Sequence, residues 1–156
     1  MATEDQDKRM HIVLYQPEIP HNTGAVGRTC LAVDAKLWLV RPLGFRVDVK
    51  SLRRAGLDYW QYLDWEVVDT WEELRSKLAG HSFWYFSKRG KRILWEADFC
   101  RGDVLVFGPE TSGLPELITD QEPDRVLRIP IASPVRSLNL SCSVAVAAFE
   151  SARQLA

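Results

Sequence analysis

Short apolar runs alternate with stretches of helical periodicity along most of the chain. Residues 11–15 (His-Ile-Val-Leu-Tyr) form a run of strand length in which nearly every position is apolar or aromatic, as expected of a strand buried on both faces. Residues 36–40, 65–68, 82–86, 103–107 and 126–129 repeat the pattern, most of them rich in Val, Leu or aromatic side chains. Helical segments are predicted between them, at about 22–34, at 51–57, from Thr70 to about 78, and in a long Ala-rich stretch at 138–154. Thr70 is followed three residues later by Glu73, a capping box that pairs amides left open at a helix start. Strands interleaved with helices predict an α/β domain with a largely parallel sheet. No repeat, low-complexity tract or linker divides the chain. Residues 1–9 read as a disordered polar tail and residues 10–156 as one domain.

Composition narrows the class. At 156 residues, one domain can bury a sizeable core. No apolar run approaches the roughly 20 residues that span a bilayer. The first nine residues hold no apolar leader core, so a cytoplasmic protein without membrane contact is expected. Cys30, Cys100 and Cys142 are odd in number and lack a Cys-x-x-Cys pair, and His11, His21 and His81 are scattered. Neither a disulfide frame nor a metal site is expected. The net charge of −1 conceals an uneven distribution. Arg41, Arg46, Lys50, Arg53 and Arg54 are opposed only by Asp48, and Lys88-Arg-Gly-Lys-Arg92 places four positive charges in five positions. Such runs are either solvated faces or phosphate-binding stretches.

Three segments carry candidate chemistry. In Pro17-Glu-Ile-Pro-His-Asn-Thr-Gly-Ala-Val-Gly-Arg28, Asn22 or Thr23 is a natural helix cap. Gly24 and Gly27 are poor helix formers, which suggests close approach of a backbone or a ligand. Arg28 lies one turn after Gly24 on the same face; its plain reading is an exposed arginine near a helix start. In Val104-Leu-Val-Phe-Gly-Pro-Glu-Thr-Ser-Gly-Leu-Pro115, a strand runs directly into Gly108. Gly108 would let a ligand lie against the backbone, and Glu110 offers a carboxylate at the rim or a cap for the next helix. The third segment, Ile129-Pro-Ile-Ala-Ser-Pro-Val-Arg-Ser-Leu-Asn-Leu-Ser-Cys-Ser143, joins a strand to the last helix, with Ser137 placed to cap it. Common nucleotide signatures are missing: there is no Gly-x-Gly-x-x-Gly, and Leu114 stands where a P-loop would have lysine.

Taken in this order, the three segments resemble the signature motifs of the SpoU branch of the SPOUT methyltransferases. Pro17-Glu-Ile-Pro-His-Asn-Thr-Gly24 and Leu52-Arg-Arg-Ala-Gly-Leu-Asp-Tyr59 are similar to the minimal group that 2′-O-methylates the wobble cytidine or uridine of tRNA. The resemblance implies an α/β-knot fold, a largely parallel sheet flanked by helices, with a deep C-terminal trefoil knot that no pattern argument predicts. It implies S-adenosylmethionine as methyl donor, S-adenosylhomocysteine as product, and a homodimer that completes the site. Carried over by motif, Arg28 is the catalytic residue. Phe86, Gly108, Ile129, Ser137 and Leu138 belong to the cofactor loops, and Asn22, Glu110 and Asn139 occupy further motif positions. The anticodon stem-loop of tRNA is the expected partner, with Arg53, Arg54, Lys88, Arg89, Lys91 and Arg92 expected to meet phosphates. Phe149 departs from the tyrosine frequent in related last helices. The competing readings are methylation at another tRNA or rRNA position, a non-catalytic RNA-binding module, and a small-molecule α/β enzyme.

Overall fold

The structure, a computed structural model, describes residues 8–47, 50 and 58–156. Seven strands form one sheet: β1 Met10–Tyr15, β2 Ala35–Val40, β3 Trp65–Val68, β4 Phe83–Phe86, β5 Arg92–Ile93, β6 Asp103–Phe107 and β7 Val126–Arg128. Their order is β3-β2-β1-β6-β4-β7-β5, and every pairing is parallel. Helices α1 (Pro20–Val33), α2 (Trp71–Lys77), α3 (Glu116–Thr119) and α4 (Leu140–Leu155) complete the regular structure of the described residues, with short 3-10 turns between them.

The period-2 alternation of strand side chains divides the core into two layers. Ile12 and Leu14 of β1, Leu37 and Leu39 of β2, Trp84 and Leu105 point to one layer. There they meet Val26 and Cys30 of α1 and Val144, Ala147 and Ala148 of α4. Val13, Trp38, Val40, Tyr85, Val104 and Val106 point to the other, against Trp71 and Leu74 of α2 and Ile118 of α3. The small residues of α4 let it pack closely on α1. The capping box is formed: Thr70 accepts from the Glu73 amide at 3.1 Å, and Glu73 accepts from the Asp69 amide at 2.8 Å.

Boundaries move where caps were misjudged. Helix α1 begins at Pro20, two residues before the expected start, because proline suits a first turn whose amides have no helical partner. Helix α4 begins at Leu140 and not at 138, and Asn139 caps it in place of Ser137, accepting from the Ser141 amide at 2.9 Å. The short β5 and α3 carry too little periodicity to be seen in sequence. The helix expected at 51–57 and most of the expected tail, residues 1–7, lie outside the described residues. No helix among those described is long and apolar enough to cross a membrane.

Candidate active site

Strands β6, β4 and β7 are neighbours, so their carboxyl ends form one edge of the sheet. Phe86 ends β4, Gly108 follows β6 and Ile129 follows β7, which brings three of the five expected cofactor residues to that edge. Ligands of parallel sheets bind outside strand carboxyl ends. The Phe86 ring stacks on Phe107 with centroids 4.6 Å apart and planes 9° from parallel, fixing the exit of β4. The turn after it lies on β7: the Ser87 amide donates to the Leu127 carbonyl at 3.0 Å. A Cβ on Gly90 would come within 2.6 Å of the Leu127 carbonyl carbon.

Gly108 has a task within its own loop. A Cβ there would lie 2.2 Å from the Leu114 nitrogen and 2.4 Å from the Gly113 carbonyl carbon. The space left by the missing side chain is filled by the loop's own return, which turns through Gly113 at φ 69°. Glycine at 108 therefore shapes the loop. Ser137 and Leu138 lie in residues 130–139, ten consecutive exposed positions that also carry Ile131 and Val135.

Glu110 and Glu18 lock the first two motifs together. The Glu110 carboxylate accepts from the Glu18 amide at 2.8 Å, the Ile19 amide at 2.7 Å and the Asn22 side-chain amide at 3.3 Å. It does not cap the helix after it; it serves the start of α1, about 90 residues earlier, where the positive end of the helix favours a carboxylate. Asn22, expected as a cap or as a holder of Arg28, is buried and spent on Glu110. In return Glu18 accepts from the Thr111 amide at 3.0 Å and its hydroxyl at 2.7 Å. These two donors hold the Glu18 carboxyl below the ordinary carboxylate range. Beside this junction, where the strand order reverses between β1 and β6, lies a groove of about 300 Å³. Gln16, Glu18, Leu43, Pro109, Thr111 and Ser112 are among its walls.

Arg28 is exposed on α1 and makes no hydrogen bond or ion pair with the other described residues. Two residues of the following segment touch the helix beside it, and one of them explains the glycine at 27. The Tyr59 hydroxyl donates to the Gly24 carbonyl at 2.6 Å, and a Cβ on Gly27 would lie 2.9 Å from Trp60 Cζ2.

The basic residues separate into two kinds. Arg89 donates to the Leu114 carbonyl at 2.8 Å and to Glu116 and Thr119 at 3.4 Å each, bracing the Gly108 loop and α3. Arg92 donates to the Asp124 and Glu96 carbonyls at 2.9 and 3.0 Å. Lys88 and Lys91 stay exposed and unpaired with other described residues, whereas Arg53 and Arg54 lie outside them. Phe149 and Val146 are exposed, one turn apart, on α4. Sequence reasoning missed Glu18, Thr111 and the bracing Arg89. Nothing in local spacing links residues 18 and 111, while Tyr59 ends the Leu52–Tyr59 segment, whose sequence assigns that tyrosine no role.

The chain matches the SpoU rRNA Methylase family over residues 9–149. It is 48% identical to a tRNA (cytidine(34)-2'-O)-methyltransferase of Methylovorus glucosotrophus (strain SIP3-4), covering 92% of this chain and 94% of that protein. A homologue of the same name from Saccharophagus degradans is 43% identical, covering 93% of this chain and 95% of that one. A structure described as giving insights into the 2-OH methylation of C/U34 on tRNA superposes with a TM-score of 0.89 at 48% identity, covering 95% of this chain and 97% of that one. The fold alone is shared with the SpoU methyltransferase AviRb of Streptomyces viridochromogenes in complex with AdoMet. There the TM-score is 0.82 at 22% identity, covering 98% of this chain and 62% of that one. With its three motif segments joined in one parallel sheet and a match running from residue 9 to residue 149, this chain belongs to the SpoU rRNA methylase family.

Proposed function

We propose that the protein transfers the methyl group of S-adenosylmethionine to the ribose 2′-hydroxyl of the wobble nucleotide, cytidine or uridine, of a tRNA. The observation that carries this is the 48% identity, over nearly the full length of both chains, to a relative named for that reaction. The cofactor suits the residues present. Ile131, Val135 and Leu138 offer exposed apolar surface for a nucleoside base, and the polar Ser137 stands among them. Phe86, Gly108 and Ile129 would frame the site from the strand ends. When bound, the cofactor supplies a methyl group already activated on a sulfonium.

What remains for the chain is to place the 2′-hydroxyl in line and ease departure of its proton. The Arg28 guanidinium carries donors and no acceptor, so it is a poor general base. Its planar fork suits a substrate phosphate, and its charge lowers the cost of the developing alkoxide. A phosphate oxygen or water then takes the proton. The groove beside Glu18 has room for a pyrimidine, and because no basic residue is among its walls it favours a neutral base over a phosphate. Exposed Leu138, Val146 and Phe149 supply apolar surface for a second copy, so the working form is a homodimer. The chain is threaded through the trefoil knot of its family, acts in the cytoplasm, and grips the anticodon stem-loop with Lys88 and Lys91 and with Arg53 and Arg54.

Incubation with S-adenosylmethionine labelled at the methyl group, and separately with total tRNA or ribosomal RNA, tests the reading. Label is expected in tRNA alone. Label in ribosomal RNA alone would favour the other family substrate, and a chain that binds tRNA but no cofactor by calorimetry would be a non-catalytic module.

A further inference from the structure

The segment Leu52–Tyr59 resembles wobble-position enzymes, and apart from the phosphate contacts proposed for Arg53 and Arg54 its residues have no assigned task. Its last residue and the next one are described, and both touch α1. We propose that Tyr59 is a positioning residue for Arg28: with Trp60 it clamps the glycine face of α1 from which Arg28 projects. The proposal rests on the reading of Arg28 as the catalytic residue.

The Tyr59 hydroxyl donates to the Gly24 carbonyl at 2.6 Å. In an α-helix the carbonyl of residue 24 is also the acceptor for the amide of residue 28, so the phenol binds the very peptide group that anchors Arg28. One turn on, Trp60 is buried with its ring edge over Gly27, where an added Cβ would lie 2.9 Å from Trp60 and 3.0 Å from Leu63. Trp60 is held in turn by Trp65, edge to face at 5.1 Å between centroids. Burial raises the Tyr59 pKa, and the nearby Arg28 charge opposes that rise. The phenol thus remains a protonated donor at neutral pH with the guanidinium close by. Arg28 itself has no internal partner among the described residues, so the aim of its side chain depends on how firmly this stretch of α1 is held. Gly27, costly in a helix, is what admits the Trp60 ring.

Tyr59→Phe removes one oxygen and keeps the ring. At saturating cofactor and tRNA its single-turnover rate should fall by about tenfold to a hundredfold, the scale of a slightly misplaced catalytic group. Cofactor affinity, tRNA affinity and melting temperature should stay at wild-type values. Added to Arg28→Ala, Tyr59→Phe should lower the residual rate no further, because a residue acting through another is non-additive with it. Gly27→Ala, which displaces Trp60, should reproduce the rate loss with cofactor affinity retained. An unchanged rate in Tyr59→Phe, an equal loss in both backgrounds, or a loss that tracks cofactor release would overturn the proposal. Full activity in Arg28→Ala would instead overturn the reading beneath it.

Discussion

The junction between the first two motifs and the loop at residues 130–139 lie on the same side of the sheet, but they are held in opposite ways. At the junction both carboxylates are bonded within the chain: Glu110 accepts from three donors and one oxygen of Glu18 from two. The loop has ten exposed residues in succession, three of them large and apolar, and among the described residues it is anchored through the Asn139 cap on α4. Ordering a residue costs about 1–2 kcal/mol of backbone entropy, so a loop with so few internal contacts must draw stabilisation from elsewhere. The contrast teaches a division of labour. The first two motifs form a rigid seat that folding alone completes, while the third, in our proposal, awaits the cofactor and a second subunit.

The largest effect should come from Arg28, a motif side chain with no hydrogen bond or ion pair to the other described residues. Arg28→Ala should reduce methyl transfer by orders of magnitude, with cofactor affinity and melting temperature nearly unchanged. Arg28→Lys should fail as well, since a compact ammonium cannot reproduce a planar fork. Retention of most activity by the lysine variant would show that charge alone suffices.

Gly108→Val attacks the rigid side. The added carbons would meet the backbone of Gly113 and Leu114, which cannot yield as a side chain could. Destabilisation of about 1–3 kcal/mol is expected, together with loss of cofactor binding. A variant that melts like wild type while losing the cofactor would mean that the glycine faces a ligand after all. On the open side, Phe149→Asp should leave the melting of the domain itself nearly unaltered and produce a monomer by light scattering. A dimer that survives would move the interface elsewhere.

Much of this was legible in the sequence. Strands such as 103–107 and 65–68 are bounded by a change from apolar to polar residues, and buried parallel strands advertise themselves that way. The Thr70–Glu73 box was readable because both partners lie within one turn. Glu110 was singled out by its motif, but not as the partner of Glu18, Ile19 and Asn22, because a contact across about 90 residues leaves no periodic trace. For the same reason Gly108 was read as room for a ligand: sequence shows that a side chain is missing, not what fills its place. Arg89 and Arg92 were expected to meet phosphates; that both also donate to carbonyls within the chain has no trace in the sequence.

That last distinction yields a smaller effect. Joint replacement of Lys88 and Lys91 by alanine should weaken tRNA binding and flatten its salt dependence, each lost phosphate contact reducing the slope by about one unit. Arg89→Ala should mainly lower the melting temperature. Reversal of these outcomes would return the phosphate contacts to the arginines.

The smallest effect concerns pH. A carboxyl whose folded pKa is depressed contributes stability above its unfolded pKa and loses it as pH falls through the folded value. The Glu18–Thr111 link should therefore persist at neutral pH and loosen only in acid. Thr111→Val removes the hydroxyl donor, so carbon NMR of the Glu18 carboxyl should show its titration moving up toward the ordinary range. An unmoved titration would mean that the hydroxyl contributes nothing.

The central claim is the identity of the reacting oxygen. Unmodified tRNA, incubated with the protein and S-adenosylmethionine, can be digested and mapped by mass spectrometry. The account predicts one added methyl, on the ribose 2′-oxygen of the cytidine or uridine at the first anticodon position. A methyl group on a base, or on a ribose outside the anticodon loop, would contradict it.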